Sequence, residues 1–151
     1  MTPEEWHTSD STLEMLEALP TDRFTRELLV YTVAICHLMI SRLPSESLEA
    51  LSVVDEYLAG SVSQEEVREA TCIATIGRDR ARAGLSYKSV RICLAERAAM
   101  IVQTATTLDV WRSANEAALA CCDLLDDNAA DLLRQAIVVN PLVKDSMSKE
   151  S

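Results

Sequence analysis

The stretch Phe24 to Leu43, FTRELLVYTVAICHLMISRL, carries apolar residues on nearly every side of a helix, and such a helix is stable only when other elements surround it. Turned at about 100° per residue, Arg23, Arg26, His37 and Ser41 cluster in one narrow polar stripe, with Glu27 just outside it. The rest of the surface, including Leu28, Leu29, Tyr31, Ile35, Cys36, Leu38, Met39, Ile40 and Leu43, needs partners on two or three sides. A membrane span requires about 18 or more apolar residues. The run from Leu28 to Ile40 has 13 and already contains Thr32 and His37. The pattern therefore predicts a central core helix over 22–43.

Three Gly and four Pro in 151 residues, against 48% hydrophobic residues, leave little turn material for a sheet. The expected class is all-α, a bundle of about six to seven helices around the central one. One domain over 1–141, with a frayed tail over 142–151, matches the length, which suffices to bury roughly two thirds of the unfolded chain's surface.

Local signals order the helices. Thr2, Pro3 and Glu5 make a helix start, and Ser11 with Glu14 makes a second. Leu13, Met15, Leu16 and Leu19 follow and Pro20 stops them. Thr21 is placed to cap the central helix and Pro44 to end it. From Ser45, the face Leu48, Leu51, Val54 and Leu58 runs at helical spacing and closes at Gly60, where a left-handed residue is least costly. Ser63 and Glu66 form a capping box for a helix to about Ala83, with Gly77 marking a bend or a close approach. After Gly84, a helix runs from Tyr87 to about Thr104, and its alanines let a neighbour come near. Thr106 to Asp109 breaks the chain before a last helix through Trp111 and Leu133 to Asn140-Pro141, whose continuity across Asp126-Asp127-Asn128 is left open.

Word-like segments in this order resemble a family of uncharacterised helical proteins expanded in planctomycete bacteria. Its Thr-Glu-x-x-Trp opening resembles Thr2-Pro3-Glu4-Glu5-Trp6, and its Met-Leu-x-x-Leu segment Met15 to Leu19. A central cysteine-bearing helix is similar to Val30 to Leu43, and Asp55 to Gly60, Glu65-Glu66, Leu132-Leu133-Arg134 and Asn140-Pro141 complete the likeness. The departures are Cys36 alone in the central helix, followed by His37-Leu38, and Val139 where the family carries glycine. The resemblance implies a helical fold and a lineage. It implies no activity.

The net charge of −10 is uneven: residues 67–97 carry seven bases against three acids, while both flanks are acidic. Overall acidity disfavours broad attachment to nucleic acid or anionic membrane. The basic segment Arg78, Arg80, Arg82, Lys88 and Arg91 is the one candidate contact for an anion or a partner. Its plainer reading is complementarity to the acidic remainder of the molecule or to a second subunit. Arg78 and Arg82 share a helix face, whereas Arg80 points nearly opposite.

No constellation announces chemistry. Cysteines 36, 72, 93, 121 and 122 lack a CxxC pair, and neighbours on a helix point about 100° apart, so inert thiols are expected. His7 and His37 lack a spaced nucleophile, and Asp123, Asp126, Asp127 and Asp131 lack the glycine and alternation of a calcium loop. No catalytic residue, metal or cofactor is expected. The odd cysteine count and the opening Met-Thr-Pro-Glu-Glu lead to the expectation of a reducing cytoplasm. The leading expectation is a non-enzymatic helical interaction or regulatory module, acting on a protein partner or on itself. The alternative is an anion- or nucleic-acid-binding protein using residues 78–91.

Overall fold

The computed structural model describes residues 1–20, 23–83, 90–121 and 129–137. They form α1 (Pro3–Thr8), α2 (Thr12–Glu17), α3 (Thr25–Leu38), a 3-10 turn (Ile40–Arg42), α4 (Ser45–Leu58), α5 (Gln64–Glu69), α6 (Thr71–Ala83), α7 (Val90–Thr106), α8 (Val110–Ala120) and α9 (Ala129–Ala136). The fold is an all-α multi-helix bundle. No described helix is long and apolar enough to cross a membrane.

Helix α3 is the element the others enclose: α4, α7, α8 and α9 all pack on it. Leu28, Leu29, Tyr31, Val33, Ile35 and Cys36 are buried there, and the hydroxyl of buried Thr32 donates to the Leu28 carbonyl at 2.9 Å, which satisfies it inside the core. Against these large side chains α8 presents Ala114, Ala117, Ala118 and Ala120, all buried. Large groups on one helix and alanines on the other let the two surfaces interlock at close packing density.

The central helix is shorter, and its wet face wider, than the sequence pattern indicates. Pro44 disfavours helical geometry at the residue before it, and Leu43 is extended at φ −79°, ψ 134°. The turn tightens ahead of it, with Met39 N–H donating to Cys36 O at 3.0 Å and Arg42 N–H to Met39 O at 2.9 Å. Leu38 and Ile40, expected in the core, are 46% and 44% exposed, and Val30 is 38% exposed. Phe24 occupies the N-cap of α3 without a side-chain hydrogen bond; Thr21, expected to cap it, lies outside the described residues.

Other junctions follow local chemistry. Ser63 and Glu66 complete a reciprocal capping box. Gly60 takes φ +83°, reversing the chain after α4. The helix expected from Ser63 to Ala83 is divided at Ala70, whose ψ of −12° and shared amide bonds mark one tight turn between α5 and α6. The buried face of α4 is Ser47, Ala50, Leu51 and Val54, while Leu48, expected inward, sits at the surface. Ser47 faces inward because Gly77 of α6 meets it with no side chain in between.

A polar seam zips α6 to α7. Thr71 donates to Thr106 Oγ1 at 3.0 Å, the Gln103 amide donates to Thr75 Oγ1 at 2.9 Å, and Arg78 Nη1 donates to Gln103 Oε1 at 2.9 Å. These positions recur at helical spacing along α6, on the face where Arg82 also lies. At the far side of the bundle, Arg134 of α9 donates through Nε to the Trp6 carbonyl at 3.0 Å and through its outer nitrogen to Ser9 O, while Nη1 pairs with Asp131 at 2.7 Å. This fastens α1 and its buried Trp6 onto the last described helix.

Candidate functional site

The basic segment singled out in the sequence is drawn into the fold. Arg78 reaches Gln103, Arg80 reaches Glu46 of α4 at 2.8 Å, and Arg82 reaches Glu96 of α7 at 3.2 Å. The divergence of Arg80 from the other two thus sends the three side chains to two neighbouring helices. Lys88 and the side chain of Arg91 lie outside the described residues. What the described part of this segment offers to solvent is three partnered arginines on two faces of α6, Arg78 and Arg82 toward α7 and Arg80 toward α4.

A different place has the geometry of a binding site. The turn at Gly60 brings the end of α4 beside the start of α5. There Gln64 Nε2 donates to the Tyr57 hydroxyl at 3.3 Å. Val67 anchors α5 in the core, which leaves Gln64 and Arg68, one turn apart, on a shared outer face. Across from them the first turn of α3 contributes Thr25 and Arg26 at the rim and buried Leu29 below. The remaining wall is made where α7 passes into α8.

That wall depends on an unusual backbone. Leu108 adopts φ +61°, the left-handed region that a leucine seldom enters. Its amide donates to Ala105 O at 3.1 Å, closing α7, and Asp109 caps α8 by accepting from Arg112 N–H at 3.3 Å. The reversal sets Leu108 and Val110 side by side along the hollow. Holding leucine in this conformation costs about 1–2 kcal/mol, offset by packing of its side chain on the core.

The resulting cleft encloses about 510 Å³. Its described lining combines apolar Leu29, Leu58, Leu108 and Val110 with polar Thr25, Arg26, Tyr57, Gln64 and Arg68, and no carboxylate is among these described residues. In a chain of net charge −10 this is a local inversion of sign. Among the described residues neither arginine has an ion-pair or hydrogen-bond partner, in contrast to Arg78, Arg80 and Arg82. The first turns of α3 and α8 both contribute to the lining, Thr25 and Arg26 from one and Val110 from the other. The arrangement can hold an anionic group over an apolar bed.

In the sequence Arg26 belongs to the polar stripe of α3 and little distinguishes Arg68. The only local signal was the Gln64–Arg68 spacing beside the capping box. Proximity to Arg26 is created by the fold.

The other sequence candidates have structural surroundings. Cys36 is fully enclosed, and burial, with the Asp55 charge second, pushes its thiol up from 9.0 to about 12. Cys121 is buried and Cys72 exposed; the Cys93 side chain and Cys122 lie outside the described residues. His37 Nε2 lies 2.9 Å from Asp55 Oδ2, linking α3 to α4 at the surface. His7 is exposed on α1. Asp131 pairs with Arg134, whereas Asp123, Asp126 and Asp127 are outside the described residues. Among the described residues no three metal-ligating side chains converge. Compared with known proteins, the chain matches no family model, no curated protein and no solved structure.

Proposed function

We propose that this chain is a non-enzymatic helical interaction or regulatory module of the cytoplasm, and that the cleft between α3, α4, α5 and the α7–α8 turn is where it takes its partner. The observation that carries the reading is the pair Arg26 and Arg68, two cations without a protein partner among the described residues, set around an apolar hollow in an acidic molecule. Guanidinium groups stay protonated at any physiological pH and only donate. They suit retention of an anion and are poor proton acceptors. The words shared with the planctomycete family support common descent with it and bring no activity.

The alternative, an anion or nucleic-acid contact through residues 78–91, has less behind it. Arg78, Arg80 and Arg82 are engaged by Gln103, Glu46 and Glu96, and no described aromatic side chain accompanies them for base stacking.

Arginine modification by phenylglyoxal, read residue by residue by mass spectrometry, tests the reading. A native cell extract, added whole or as its small-molecule fraction, should protect Arg26 and Arg68 and leave exposed Arg80 and Arg82 as reactive as before. Failure of both to protect the two cleft arginines would contradict it.

A further inference from the structure

We infer that the occupant of the cleft is a small amphipathic anion: a carboxylate or phosphate monoester head held by Arg26 and Arg68, with a short apolar body lying on Leu58, Leu108 and Val110. The inference rests on the binding-module reading above and names the ligand class for that site.

Three features select this class. First, charge: among the described residues the lining holds two guanidinium groups and no carboxylate, a local excess of positive charge that draws anions in a molecule that is acidic as a whole. The guanidinium fork pairs with two oxygens of a carboxylate or a phosphate in parallel hydrogen bonds. Gln64 and the Tyr57 hydroxyl, already joined at 3.3 Å, add neutral polar groups at the same rim. Second, the bed: the half-buried side chains of Leu58, Leu108 and Val110 in the lining gain from an apolar body and gain nothing from a bare inorganic ion. Third, size: the 510 Å³ hollow falls within the range of about 300–1,000 Å³ found for small-molecule sites. A stable protein partner would cover about 800 Å² of this chain, a much broader contact than one hollow provides.

The strain at Leu108 fits the same use. A glycine would satisfy φ +61° without penalty, yet it would remove the wall that an apolar body touches.

Calorimetric titration of the full chain with eight-carbon probes tests the inference. Octanoate and octyl phosphate carry the anionic head, octan-1-ol the tail alone, octylammonium the opposite charge, and acetate and inorganic phosphate the head alone. At least one of the two octyl anions should bind one to one, and the tighter of them identifies the head. Octan-1-ol and the bare heads should bind about tenfold or more weakly, from the loss of charged hydrogen bonds or of apolar burial. Arg26→Met and Arg68→Met should each weaken the octyl anion about tenfold or more, whereas Arg80→Met, whose partner is Glu46, should not; circular dichroism establishes that each variant is folded. Equal affinity for octan-1-ol, binding of octylammonium, or no binding of either octyl anion would overturn the inference. If the extract still protects Arg26 and Arg68 in that last case, the binding-module reading stands and only the ligand class falls.

Discussion

Gly77 of α6 lies against Ser47 of α4 so closely that a Cβ on residue 77 would stand 2.8 Å from the Ser47 amide nitrogen and 3.2 Å from its Cα. Glycine in a helix interior ordinarily weakens it by up to about 1 kcal/mol relative to alanine. Here backbone contact decides the sign. Gly77→Ala should lower stability by about 1–3 kcal/mol, the usual penalty for overpacking, despite its better helix propensity. Urea denaturation measures it, and a stabilised variant would mean that α4 and α6 do not approach as described.

The central helix gives a paired prediction. Leu28 is 1% exposed and Leu38 46% exposed on the same helix. Leu28→Ala should cost about 2–5 kcal/mol, whereas Leu38→Ala should stay within about 1 kcal/mol, as for a residue largely in water. Thermal melts of the two variants side by side check this.

These two cases mark what was legible in the sequence. Helix ends were, because capping is a matter of a few adjacent residues: Thr2, Ser11, Ser63 with Glu66, and Gly60 act as their chemistry indicates. Which side of α3 meets water was only partly legible. The wheel identifies polar residues but cannot say where neighbours end, so Val30 and Leu38 widen the wet face while Thr32 sits in the core. Gly77 in a helical stretch signals either a bend or a close approach, and only the position of Ser47 decides between them. The cleft was not legible, because its lining comes from four separated stretches and depends on two left-handed residues, Gly60 and Leu108, of which the second is a residue type that does not advertise that conformation. The arginines of the 78–91 run stood out as a cluster in sequence, and the fold spreads those it describes over two helix partners.

Arg134 should act as a fastener for the N-terminus. Its hydrogen bonds to Trp6 O and Ser9 O span nearly the whole chain, and bonds from a charged donor contribute about 1.5–3 kcal/mol. Arg134→Met should raise hydrogen exchange across α1 and reduce stability by about 2 kcal/mol. Arg134→Lys should not restore it, since a single ammonium lacks the planar fork. Unchanged exchange in α1 would show that Trp6 holds that helix unaided.

Cys36 should make stability depend on alkaline pH. Its pKa is 9.0 in the reference state and about 12 in the fold, so the folded state keeps a proton that the unfolded chain releases. The stabilising contribution is complete below about pH 9 and is lost as pH rises toward about 12. Cys36→Ala should flatten the decline of stability over that window relative to the native chain. In the native state at neutral pH, a thiol reagent should label exposed Cys72 ahead of Cys36.

The account stands most directly on where an octyl anion lands. Titrating octanoate or octyl phosphate, whichever binds, into isotope-labelled protein and following backbone amide shifts should move Thr25, Arg26, Tyr57, Gln64, Arg68 and Leu108 together, with one saturating profile. Shifts concentrated at Arg78 to Arg82, or scattered over the surface without saturation, would contradict it.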